Sequence, residues 1–172
     1  MSTNFYDVSV GTYLQIVNAT MGVMAKGAEH CAANGIDLAD VVADRLVEDM
    51  ADFHFQAVCV VHHSLGAIKG MQSGEFKPPT DYAQTDYAGL QALLSDAQAE
   101  LSALSTEAVN GLADGRLVFK LGGQEIPFSN SNFLLSFSLP NLYFHATTLY
   151  DLLRKRGVPL GKMDFLGQLK IG

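Results

Sequence analysis

The sequence predicts an all-α fold, a four-helix bundle with a small β-hairpin set between its third and fourth helices. Three observations predict it. Apolar residues recur at alternating steps of three and four along four long segments, and Gly, Asn and Pro punctuate the ends of those segments. The one stretch with strand-like composition, Leu117 to Phe128, is folded about a Gly122-Gly123 pair. At 172 residues and 48% hydrophobic, the chain is long enough for a sizeable core, and a single domain over residues 1–172 is expected.

Helix one is expected from about Asp7 to Ala33, where Val10, Leu14, Val17, Met21, Met24, Ala28 and Cys31 form a seam and Asn34-Gly35 closes it. Asp37 caps a short helix through Val42, which leads tightly into the next long one. Leu46, Met50, Phe53, Ala57, Val60, Val61, Ser64 and Ile68 mark helix two, which closes near Gly70 to Gly74. Lys77-Pro78-Pro79 is a loop. Helix three, capped by Thr85 or Asp86, carries Tyr87, Leu90, Leu94, Ala97, Leu101 and Leu104, with Asp96, Gln98 and Glu100 facing water. The hairpin follows, its second strand at an edge that tolerates Pro127. Helix four is capped by Ser129 or Ser131 and runs to Arg156, with Arg154, Lys155 and Arg156 in its last turn and Gly157 and Pro159 beyond.

Charge narrows the partners. Lys+Arg of 11 against Asp+Glu of 18 gives a net charge of -7, which repels phosphate backbones and anionic lipid, so neither nucleic acid nor membrane is expected as a partner. The start, MSTNFYDVSV, has no basic segment followed by an apolar run, and no stretch reaches the roughly 18 uninterrupted apolar residues of a spanning helix. A cytoplasmic location is the expectation. Cys31 and Cys59 lie far apart without CxxC spacing and are expected to be free, buried thiols.

Chemistry is most concentrated between Pro140 and Gly157. Asn141 and His145 stand one helical turn apart on the face that carries Leu134, Phe137, Thr148 and Leu152, so both are expected to point inward. A neutral imidazole is a good ligand for zinc, nickel or iron, and an i,i+4 pair presents two donors to one ion. The alternative is a mute pair, with His145 and Asn141 hydrogen-bonded to each other, to Thr147 or Thr148, or to a buried water. Pro140 removes an amide donor and clashes with the Ser136 carbonyl, so a kink is expected just before the pair. On helix two, His62 and His63 sit off the centre of the apolar stripe and His54 lies nearer the inward face. His30 is expected to complement a helix dipole, and Glu48, Asp49 and Asp52 to form a solvated face. No Ser-His-Asp order, GxGxxG, P-loop or HExxH is present.

His145, followed by Leu149, Leu152-Leu153-Arg154 and Gly157, resembles the last helix of the DinB/YfiT-like four-helix bundle superfamily, whose pattern is HxxxH, a glycine-glutamine pair, an LLR-like segment and a glycine. In that register His145 takes the place of the second histidine and Asn141 that of the first. Val60-Val61-His62-His63 is similar to the VVHH-like segment that brings the superfamily's remaining ligand, with His63 the closer match and His62 and His54 as alternates. NFYDVSV, AEHCAANGID, RLVEDM, the LGG hairpin, LPNLYFHATTLYDLLRKRGVPLGK and the closing DFLG resemble, in order and spacing, one branch of the superfamily catalogued only as a domain of unknown function.

The resemblance implies a DinB-like bundle, often a homodimer. Better-known members of the superfamily are metal-dependent enzymes that handle low-molecular-weight thiols. The chain departs from the pattern at Asn141 and at Thr147-Thr148. Three functional expectations follow. One is a small-molecule pocket between helices, lined by Asn141, His145, Tyr143 or Tyr150 and His63, with or without metal. Another is a thiol transferase or hydrolase holding Zn, Ni, Fe or Mn on His63, Asn141 and His145. The third is a non-catalytic, dimeric interaction module whose partner covers Leu160, Met163, Phe165, Leu166 and Leu169 of the tail.

Overall fold

The computed structural model describes residues 3–171. Its helices are α1 (Phe5–Val8), α2 (Val10–Asn34), α3 (Leu38–Val42), α4 (Phe53–Val61), α5 (Ala67–Ser73), α6 (Tyr87–Ser102), α7 (Thr106–Asn110), α8 (Asn130–Phe133), α9 (Leu139–Lys155) and α10 (Lys162–Leu166). A π turn over His62–Gly66 joins α4 to α5, and a second over Leu134–Ser138 joins α8 to α9, so each set makes one long rod. Four rods therefore build the bundle: α2, the α4–α5 rod, α6 and the α8–α9 rod. Each packs on two neighbours, in the cyclic order α2, α6, α4, α9. Tyr13, Phe53, Leu90, Phe133 and Leu149 are fully buried between them.

Side-chain caps start the helices. Asp37 accepts from the Ala39 amide, Asp52 from Phe55, Asp86 from Gly89 and Ser129 from Asn132, which settles the third and fourth helices on Asp86 and Ser129. Gly35, at φ 66°, ends α2 in the left-handed conformation the Asn34-Gly35 pair predicts.

The sheet has three strands in the order β1 (Glu75–Phe76), β2 (Arg116–Leu121) and β3 (Gln124–Ser129). The expected hairpin is β2–β3, with Leu121 opposite Gln124 and Gly122 and Gly123 both at positive φ. Pro127 lies in edge strand β3, where its missing N–H costs no ladder bond. The two-residue strand β1, too short to show a period, adds in parallel, with Phe76 beside Phe119. Phe76, Phe119, Phe128, Phe133 and Phe137 then cluster at centroid spacings of 4.8–6.1 Å, fixing the sheet against the α8–α9 rod.

Several expectations are corrected. Helix one breaks at Ser9 (φ −99°, ψ −88°), so the first turn is a separate α1 with its own Asn4–Asp7 capping box. Helix two begins at Phe53, not Leu46. Residues 43–52 form a connection, because Asp52 caps α4 and Asp44 is drawn to Lys155 and Arg156 at the end of α9. Leu46 and Met50 keep helical spacing without a helix, and Asp52 is a cap instead of part of a solvated acidic face. The second π turn, Leu134–Ser138, ends two residues before Pro140, where a kink is expected.

The tail folds back on its own chain. Val158 and Leu160 are buried, α10 packs on α2, Phe165 meets Tyr150, and Gln15 donates to the Leu166 carbonyl. Among the described residues no helix is long and apolar enough to cross a membrane.

Candidate metal centre

The two π turns face each other across the interface between the α4–α5 and α8–α9 rods, and the polar side chains gather beside them. One donor atom each from Cys59, His63 and His145 lies within 4.8 Å of the others. Cys59 and His63 are four residues apart on the same rod. His145 comes from α9, its ring almost parallel to that of His63, at 8° with centroids 5.7 Å apart. Phe76 and Phe137 close around His63, and Phe55 and Phe144 stand edge-on to His145.

Hydrogen bonds assign the imidazoles. Gln56 donates its amide Nε2 to the Ala51 carbonyl, so its Oε1 is the atom that faces His145, 2.7 Å from Nδ1. That oxygen only accepts, hence His145 carries its proton on Nδ1 and keeps a lone pair on Nε2. His63 Nδ1 is buried with no hydrogen-bond partner among the described residues. A buried polar atom without a partner is costly, and a ligand satisfies it.

Burial keeps the cluster neutral. It pushes His63 down to about 3, with His62 and His145 adding repulsion, and pushes His145 down to about 4, with His62 again adding to it. Burial also pushes the Cys59 thiol up to about 12. Burial thus disfavours transfer of the Cys59 proton to His63, and with it a simple cysteine–histidine nucleophile. A divalent ion fits better, since it ejects a thiol proton outright. Nitrogen and sulfur donors around one tetrahedral ion stand about 3.3–3.5 Å apart, so the three would need to draw in by up to about 1.5 Å.

The residues expected from sequence divide clearly. His63 and His145 meet. Asn141 is half-buried but turns its amide Nδ2 onto the Phe137 carbonyl at 2.7 Å, so it is paired neither with His145 nor with Thr147 or Thr148. His145 finds Gln56, which none of the expected pairings included. Tyr143 is 40% exposed and Tyr150 packs on Phe165, so the expected lining residues are spread around α9. His62 bonds the Lys77 carbonyl and lies tilted against Phe76, and His54 accepts from the Thr85 amide. Half-buried His30 lies 3.3 Å from the Asn34 amide. A groove of about 720 Å³ between α5 and residues 77–82 is lined in part by His62 but by none of the three donors.

Cys59 was missed as a donor. Both cysteines are free and buried as expected, and the overlooked signal was the spacing of Cys59 from His63, the same four residues that separate Asn141 from His145.

Fold and site together define a DinB-like helical bundle with a candidate metal triad between its second and fourth rods. The chain belongs to the family described as Domain of unknown function (DUF1993), whose model matches residues 5–166. It is similar in fold to a crystal structure of a DinB family member protein from Shewanella denitrificans, with a TM-score of 0.78 and 20% identity over 97% of this chain and 94% of that one. No curated protein matches the chain.

Proposed function

We propose that the chain is a metal-dependent enzyme of the thiol-transferase or hydrolase kind, with Cys59, His63 and His145 as the protein ligands of a zinc-like divalent ion. The observation that carries this reading is the convergence of the three donors within 4.8 Å of one another. The unpartnered His63 Nδ1 and the Nδ1–H tautomer that Gln56 imposes on His145 support it. Three protein ligands are the number found at catalytic sites, where structural sites take four, and one soft thiolate with two imidazoles favours zinc over manganese. A bound ion would act there as a Lewis acid, lowering the pKa of a water or thiol in the remaining position.

The chain's own residues do the rest. Gln56 holds the His145 ring at a fixed angle and keeps its proton on Nδ1. Phe55, Phe137 and Phe144 surround the imidazoles with apolar surface, which lowers the local dielectric and strengthens any charge held there. Cys59 supplies the one anionic donor. The Asn141 Oδ1, left without a role by the Phe137 contact, is a weaker ligand than the thiolate and is dispensable to the triad.

Metal analysis of protein purified without an affinity tag tests this. About one zinc-class ion per chain is expected, falling below about a tenth in Cys59→Ser and His145→Ala and holding in Asn141→Ala. Wild-type protein that carries no metal and takes up none on addition overturns the reading.

A further inference from the structure

A chain of hydroxyls reaches the candidate centre from behind. The backbone carbonyl of His63, in the first π turn, accepts a 2.7 Å hydrogen bond from Ser138 Oγ in the second. Ser138 Oγ lies 2.7 Å from Tyr13 Oη on α2. A serine hydroxyl has one proton, and this one is given to the carbonyl, so Tyr13 must donate to Ser138. The direction is thereby determined: Tyr13 to Ser138 to His63. Both side chains are fully buried, and burial holds the Tyr13 phenol in its protonated, donating form.

The place where this chain ends is informative. A π turn advances less per residue than an α turn, so the direction in which a side chain leaves the rod depends on that turn being held open. Ser138 bonds the backbone of the one residue in the turn that belongs to the triad. It also ties the rod carrying Cys59 and His63 to the rod carrying His145, while Tyr13 ties both to α2. Breaking either bond would leave a polar group unpaired in an apolar interior, which favours the intact arrangement strongly.

We propose that Ser138, backed by Tyr13, is the positioning residue of His63: the hydroxyl chain holds the first π turn in the register that aims the imidazole at Cys59 and His145. Its purpose rests on the metal-site reading above, whereas its physical content, the orientation of the His63 ring, is measurable without any metal.

The test combines Co²⁺ titration, read by the thiolate-to-cobalt and ligand-field bands, with imidazole NMR of the metal-free protein. Ser138→Ala is expected to weaken Co²⁺ binding by about tenfold or more and to alter the bands. It should also shift the His63 ring signals while leaving those of His54 in place. Tyr13→Phe moves both readouts the same way by less. Ser138→Thr, which keeps the hydroxyl, restores them. Thr20→Val, which removes a buried hydroxyl bonded to the Ile16 carbonyl on α2, controls for lost stability and leaves both readouts unchanged.

If Ser138→Ala does not fold, Tyr13→Phe decides. Wild-type affinity and unmoved His63 signals in the folded variant overturn the proposal. Wild-type protein that binds no Co²⁺ overturns the metal reading alone, and the NMR of the metal-free variants then decides the positioning role.

Discussion

At the scale of single residues, Gln56 shows how a neutral side chain gives a histidine its chemical identity. Its amide is oriented by the Ala51 carbonyl and so can only accept from His145. Gln56→Leu is expected to weaken metal binding by about 10–100-fold in competition with a coloured chelator. Asp44 supplies a pH-dependent contact of a different kind. Burial pushes its carboxyl up, but the hydrogen bonds from Lys155 and Arg156 outweigh that and hold it below the usual carboxylate range. A carboxyl lowered by folding contributes stability that is present above its unfolded pKa and lost as pH falls through its folded one. Urea midpoints should therefore fall more steeply on acidification below about pH 4 in wild type than in Asp44→Asn, with the two curves converging at the acid end.

At the scale of elements, contact between helices is set by what is missing as much as by what is present. Gly27 on α2 lets α6 and α9 approach: an added Cβ would lie 2.7 Å from the Tyr87 hydroxyl and 3.0 Å from both Leu153 methyls. That hydroxyl already donates to the Met24 carbonyl and cannot move freely. Gly27→Ala should cost about 1–3 kcal/mol in chemical unfolding, although alanine is the better helix former. The helix seams were readable because their period follows from one buried face, and the caps because Asp and Ser answer orphan amides. The π turns were not, since nothing in a three-four pattern marks the insertion of one residue; only Pro140 hinted at the second. The start of α4 was misread because Leu46 and Met50 continue the seam by spacing alone. Half of the candidate centre, His63 and His145, was legible from sequence. Cys59 and Gln56 were not: the four-residue step from Cys59 to His63 is in the sequence, but that Cys59 or Gln56 meets His145 depends on how two rods face each other.

At the scale of the whole molecule, the tail completes the bundle from outside. α10 is held on α2 by the Lys26–Asp164 pair at 2.6 Å and the Gln15 bond to Leu166, and on α9 by the Phe165–Tyr150 contact. The exposed ion pair contributes little and the half-buried ring more. Ending the chain after Leu160, which retains the buried Val158 and Leu160, should lower the melting temperature by about 4 °C. Light scattering of this truncated form should give the same mass per particle as the full chain, and a change in assembly state would show that the tail serves a partner. The parallel strand β1 has a further consequence, in the order of folding events. It follows directly on the rod that carries Cys59 and His63, yet it pairs with residues some forty positions later in the chain, Glu75 with Val118 and Phe76 with Phe119. Closing so long a loop is slow compared with forming helices. Phe76, which walls in both His62 and His63, reaches its place only when that loop has closed. The aromatic wall beside His63 therefore depends on a contact between distant parts of the chain, whereas Cys59 and His63 are brought together by one turn of their own rod.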